Sequence, residues 1–107
     1  MIELRQYIDE LGRNGFERWF ERLEAGVQAR VTAYLDRLER GNFSAAKGVA
    51  GIFELRLDFG PGYRIYFGED GDTLVILLAG GTKKKQQEDI ARAQALWREY
   101  KRRKKEK

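Results

Sequence analysis

The stretch IFELRLDFGPGYRIYFGEDGDTLVILLAGG, residues 52–81, carries the reading of the fold. Phe53, Leu55, Leu57 and Phe59 alternate with Glu54, Arg56 and Asp58, and beyond Gly60-Pro61-Gly62 the residues Tyr63, Ile65 and Phe67 alternate with Arg64 and Tyr66. Alternation of period two marks a half-buried strand, because successive side chains leave opposite faces of the pleat. Pro61 presets φ and the glycines on either side tolerate positive φ, so this stretch predicts two antiparallel strands joined by a tight reversal. Glu69-Asp70-Gly71-Asp72 is a second turn signal, and the unbroken apolar run that follows at residues 74–79 predicts a central strand buried on both faces.

Upstream, Phe16, Trp19, Phe20 and Leu23 fall at i, i+3, i+4 and i+7, and Val27, Val31, Tyr34, Leu35 and Leu38 repeat the spacing. That is the stripe of an amphipathic helix, written twice, with Gly26 near the junction and Gly41-Asn42 as a stop. Ile2 and Leu4 alternate with polar neighbours and predict a short N-terminal edge strand. Downstream, Ile90, Ala93, Trp97 and Tyr100 return to helical spacing. The expected order is strand, two helices, three antiparallel strands and a C-terminal helix: an α+β fold in a single domain over residues 1–100, followed by a basic tail at 101–107.

The chain has 107 residues, room for one core. It contains no cysteine and no histidine, which removes disulfides, Cys/His zinc sites, thiol nucleophiles and imidazole acid-base chemistry, and with them most familiar hydrolases. The apolar run at 74–79 is far too short to span a bilayer and no signal-peptide core precedes the fold, so a cytoplasmic protein without a membrane partner is expected. The net charge of +4 is unevenly placed: residues 1–46 balance to −1, residues 47–97 to zero and residues 98–107 to +5. Such a terminal run reads either as a solvated, frayed helix end or as a phosphate-binding segment.

If the odd-numbered hairpin residues face the helices, Glu54, Arg56, Asp58, Arg64 and Tyr66 share the opposite face. Cross-strand ion pairing on a solvated surface accounts for that pattern. The functional alternative adds Lys47, just before the hairpin, and Lys83-Lys84-Lys85, just after the last strand, and reads the set as a phosphodiester site. Guanidinium groups bind phosphate bidentately and stabilise the charge of a pentacoordinate transition state without needing a metal. A carboxylate beside them, Glu54, could activate a ribose 2′-hydroxyl against its own 3′-phosphate while a lysine protonates the leaving oxygen. The flanking cations lower the Glu54 pKa, which keeps it ionised but weakens it as a base, so a positional role is also open.

Three pieces in order, GNF…K, ELRLDFGPGYRIYF and LLAGGTKKKQQEDIARA, strongly resemble the addiction-module killer proteins. These are a phage-derived branch of the RelE/ParE toxin superfamily that includes HigB-like toxins. The resemblance covers nearly the whole chain to Trp97. It implies a small RelE/ParE-like fold with two N-terminal helices on a twisted antiparallel sheet, and a toxin restrained by a co-encoded helix-turn-helix antitoxin. It further implies a metal-independent, cofactor-free endoribonuclease that cleaves mRNA on the ribosome, with a ParE-like gyrase poison as the alternative on the same fold. Carried onto this chain, the basic catalytic positions match Arg56, Arg64 and the Lys83 or Lys84 position, with Glu54 where relatives place a polar or charged residue. Relatives also use a His or Tyr near the C-terminus; this chain has no His and no Tyr between Tyr66 and Tyr100. Lys47, Glu54 and Lys84 are the remaining candidates for proton transfer. Lys83, Lys85 and Tyr66, with Lys101, Arg102 and Arg103 of the tail, are the expected contacts to mRNA and ribosomal RNA.

Overall fold

Five strands form one sheet in the order β1-β5-β4-β3-β2, with helices on both faces. The computed structural model describes residues 1–106, so of the tail only Lys107 lies outside the described residues. The strands are β1 (Glu3–Gln6), β2 (Ala46–Val49), β3 (Ile52–Arg56), β4 (Tyr63–Asp70) and β5 (Leu74–Thr82); the helices are α1 (Gly15–Glu21), α2 (Ala25–Glu39) and α3 (Gln86–Lys105). The architecture is α+β, as the periodicities predict. β1 is an edge strand, and it runs parallel to β5, Glu3 opposite Leu74 and Gln6 opposite Leu77. The other pairings are antiparallel.

One strand is additional to the expected order. β2 pairs with β3 through a two-residue turn in which Ala50 and Gly51 both take positive φ, the backbone of a tight hairpin. An Ala-Gly dipeptide is a weak signal for that turn. The strand itself, Ala-Lys-Gly-Val, has no apolar alternation to reveal it.

The α1–α2 layer covers Leu55, Leu57, Ile65, Phe67, Val75 and Leu77. The opposite face is where the structure departs most from expectation: Glu54, Arg64 and Tyr66 are buried, not solvated, because α3 lies across them. Ile90, Ala93, Trp97 and Tyr100 need an apolar floor, and Ile52, Tyr66, Ile76, Leu78 and Ala79 supply it. A bulge sits where Tyr66 opposes Ala79 and Phe67 opposes Leu77. It leaves both Leu78 and Ala79 in the α3 layer while Leu77 stays with α1 and α2, so β5 is buried on both sides. Two glycines let indoles lie flat on the sheet, Trp97 on Gly68 and Trp19 on Gly80; a Cβ at either position would overlap the ring.

α3 does not fray at the basic run. Arg102 Nη2 meets Glu10 Oε1 at 2.7 Å, Arg103 Nη1 donates to the Ile8 carbonyl at 2.9 Å and to Tyr7 Oη at 3.1 Å, and Lys104 Nζ meets Asp70 Oδ1 at 2.6 Å. Tyr100 Oη also donates to Asp70. Among the described residues no helix is long and apolar enough to cross a membrane.

Candidate phosphate-binding site

Opposed residues of neighbouring strands put their side chains on the same face, and the register therefore assembles the polar residues in two rows. Lys47, Glu54, Tyr66 and Ala79 form one row, and Arg56, Arg64 and Gly81 form the next. Gly81 has no side chain, and the Asp89 carboxylate of α3 fills the space that a Cβ would take.

Glu54 is the centre of the cluster and is 0% exposed. Its Oε1 accepts from Arg56 Nε at 2.8 Å; its Oε2 accepts from Tyr66 Oη at 3.1 Å and from Gln86 Nε2 at 2.7 Å. Arg64 Nε lies 3.7 Å from the same Oε2. Burial alone would push the Glu54 pKa up, but the donated hydrogen bonds of Arg56, Gln86 and Tyr66 together outweigh it and hold the carboxyl below its ordinary range. Burial, with the Glu54 charge beside it, raises the Tyr66 phenol well above its usual value. Burial likewise raises Asp89, against the pull of Arg92.

Arg64 is only 7% exposed. Its Nη1 donates to the Gly62 carbonyl at 2.8 Å, while its buried Nε has no hydrogen-bond partner among the described residues. Gly62 sits at φ +77°, and a Cβ there would fall 2.9 Å from Arg64 Nη1 and 3.1 Å from Lys83 Cβ. The glycine thus lets Lys83 approach the guanidinium. Lys83–Lys85 form a single exposed 3-10 turn between β5 and α3, and with Gln86, Gln87 and Glu88 they line an open hollow of about 500 Å³.

The structure brings together Lys47, Glu54, Arg56, Arg64, Tyr66, Lys83, Lys84 and Lys85 at one end of the sheet. Of these, Lys47, Arg56 and the three lysines after β5 face solvent. Lys101, Arg102 and Arg103 are not part of the cluster: they lie about fifteen residues along α3, roughly 22 Å at the helical rise, and the two arginines are engaged with the loop that follows β1. Gln86 and Asp89 were not singled out from the sequence. A signal existed for Gln86, since the inward stripe Ile90, Ala93, Trp97 and Tyr100 extended back by one turn reaches it.

Chemically, a carboxylate whose two oxygens are already held by Arg56, Tyr66 and Gln86, with Arg64 close by, serves better as an anchor for guanidinium groups than as a proton acceptor. The surface it supports is cationic. The profile of the family described as "Phage derived protein Gp49-like (DUF891)" matches residues 18–100, which takes in α2, all the strands after it and most of α3. The chain belongs to the phage-derived Gp49-like family. This Gp49-like chain is also 44% identical over 86 residues to an uncharacterized protein of Haemophilus influenzae, an alignment covering 78% of this chain and 87% of the relative. The Gp49-like family is associated with toxin-antitoxin modules, which makes an antitoxin a plausible partner.

Proposed function

We propose that this Gp49-like protein is the toxin of a toxin-antitoxin module, of HigB-like type, and that it cleaves messenger RNA under translation. The observation that carries this reading is the pairing of Arg56 and Arg64 with the buried Glu54 anchor, with Lys83 close to Arg64 and Lys84 and Lys85 following it after the last strand, which gathers cations at one sheet end. A purely protein-binding poison of gyrase has no need of such a gathering.

In the proposed reaction Arg56 and Arg64 hold the scissile phosphate and stabilise its added charge, with Glu54 and Gln86 fixing the guanidinium groups as positioning residues. The ribose 2′ oxygen bonds to phosphorus, the bond from phosphorus to the 5′ oxygen breaks, and a 2′,3′-cyclic phosphate and a 5′-hydroxyl result. The 2′ proton passes to water, and Lys84 protonates the leaving 5′ oxygen, with Lys47 as the other candidate for proton transfer. Tyr66, buried and already donating to Glu54, acts through that carboxylate and not on RNA. The mechanism calls on no cofactor.

A domain this small, with few groups that read bases, depends on the ribosome to position its substrate. A helix-turn-helix antitoxin is expected to dock on the exposed side of α1 and α2, leaving the basic cluster to its substrate. Brief expression of the chain, with mapping of new 5′ ends on cellular mRNA, tests the reading. Cuts within translated messages and none in naked RNA are expected; a DNA-damage response without new 5′ ends would replace it with the gyrase reading.

A further inference from the structure

A second cationic feature lies away from Glu54, in a cleft of about 320 Å³ between α1 and α3 at the C-terminal part of β5. Arg18 enters it from α1, Arg22 from the cap that ends α1 and Arg92 from α3, and Gly15, Trp19, Ala79 and Gly80 complete its walls. β1 pairs only with residues 74–77 of β5, so this part of β5 lies beyond the end of the edge strand.

No acidic side chain lines the cleft. Arg92 has one counter-ion, Asp89 at 3.2 Å, while among the described residues no side-chain hydrogen bond or acidic partner is found for Arg18 or Arg22. Arg18 and Arg22 are also spaced i, i+4 at the end of α1, Arg22 being its C-cap, so two like charges repel there. The fold gains nothing from that repulsion. An anion seated between the guanidinium groups would relieve it.

We propose that this cleft binds the backbone of single-stranded RNA and continues the phosphate surface formed by Arg64 and Lys83–Lys85. The inference rests on the nuclease reading and extends it to a second stretch of the same strand. Continuity supports it: Trp19 lies edge-on to Tyr63 at 6.2 Å between ring centres, Tyr63 opposes Thr82, and Lys83 follows next to Arg64. The walls argue for RNA over an acidic peptide. A peptide interface draws its energy from apolar anchors in fitted pockets, and here, apart from Trp19, the apolar lining is only glycine and alanine. Three guanidinium forks over a bare floor suit phosphates.

The test compares the wild-type chain, Arg18→Gln/Arg22→Gln and Lys83→Gln/Lys84→Gln for binding to a short single-stranded RNA oligonucleotide across a salt series, with polyglutamate as a second probe and thermal melting as the check on folding. The cleft variant should melt at or above the wild-type temperature, bind RNA about tenfold more weakly, and lose about 1.4 from the magnitude of its salt slope, as expected for two single-strand phosphate contacts. A cleft variant with wild-type affinity and slope overturns the proposal; if the Lys83→Gln/Lys84→Gln variant is weakened in the same series, the nuclease reading survives it. Polyglutamate bound through Arg18 and Arg22, with no effect of these residues on RNA, overturns it in favour of an acidic protein partner. A wild-type chain that binds no RNA overturns the cleft proposal, while the nuclease reading, which relies on the ribosome to position its substrate, is decided by the mapping of 5′ ends.

Discussion

Gln86 Nε2 donates to Glu54 Oε2 at 2.7 Å, tying the first residue of α3 to the middle of β3. The bond closes the buried end of the cluster, because it gives Oε2 of the fully buried carboxylate a second donor beside Tyr66. Helix placement and guanidinium placement are therefore one problem: wherever α3 sits, Glu54, and through it Arg56 and Arg64, must follow.

Glu54→Gln should destabilise the protein by about 3 kcal/mol at neutral pH, since it leaves two arginines without their buried counter-ion. The Glu54 pKa is lowered in the folded chain, so its contribution is full above the ordinary carboxylate range and is lost as the pH falls through the folded value. Melting at pH 7 and again near pH 3 should show the gap between wild type and variant narrowing in acid. Equal melting temperatures at pH 7 would show that the anchor is not needed.

Arg56→Ala and Arg64→Ala both remove a partner of the buried Glu54. Arg56, with a side chain 46% exposed, should lose roughly 10² to 10³ in cleavage and some stability as well, because Glu54 Oε1 is left without its donor. Arg64, packed against Gly62 and Glu54, should lose as much activity and some stability as well, and Arg64→Lys should recover the stability better than the activity. Growth arrest on expression, read beside circular dichroism, is the measurement. Full toxicity in either alanine variant would remove that arginine from the site.

Gly68→Ala should cost about 1–3 kcal/mol by driving a methyl group into the Trp97 ring. The displaced indole carries α3 with it, so denaturation midpoints should drop and Trp fluorescence shift. Gly26→Ala, where nothing lies within reach of a Cβ, is the matching control and should be neutral or slightly stabilising.

Truncation after Tyr100 removes the Arg102 partner of Glu10, the Lys104 partner of Asp70 and the donor to the Ile8 carbonyl, and leaves Tyr100 on Asp70. These contacts are largely exposed and individually weak, so a small drop in Tm is expected. The cleavage pattern should survive at low temperature. An unchanged Tm would mean that the ion pairs contribute nothing.

Alternation in the sequence was enough to tell which residues share a sheet face, and Phe53 with Phe67 and Glu54 with Tyr66 do stand opposite each other. It could not tell which face meets water. Charged residues at 54, 56, 58 and 64 suggest solvent because a lone buried charge is costly; here the costs offset one another, as Glu54 is satisfied by Arg56, Tyr66 and Gln86. The last of those partners comes from 32 residues downstream, beyond the reach of any local pattern. The stripe of α3 was legible, whereas its destination was not, since periodicity reports that a helix has an apolar side and nothing about what it packs on. The tail was legible only in part: its cations are mostly exposed, while Glu10 and Asp70, which pair with Arg102 and Lys104, come from distant turns.

The parallel pairing of β1 with β5 joins two strands about seventy residues apart, Glu3 opposite Leu74. Loop closure over so long a separation waits for β5, and the antiparallel succession β2 to β5 is the part whose contacts are local enough to form first. A nascent chain therefore holds β1 unpartnered until β5 has been made. Release of the product by a stop codon or a stalled synthesis anywhere before Gln86 would yield a fragment lacking the residue that closes over Glu54. Assembly of the basic cluster is thereby coupled to synthesis of α3, and a copy aborted before it is expected to be inert.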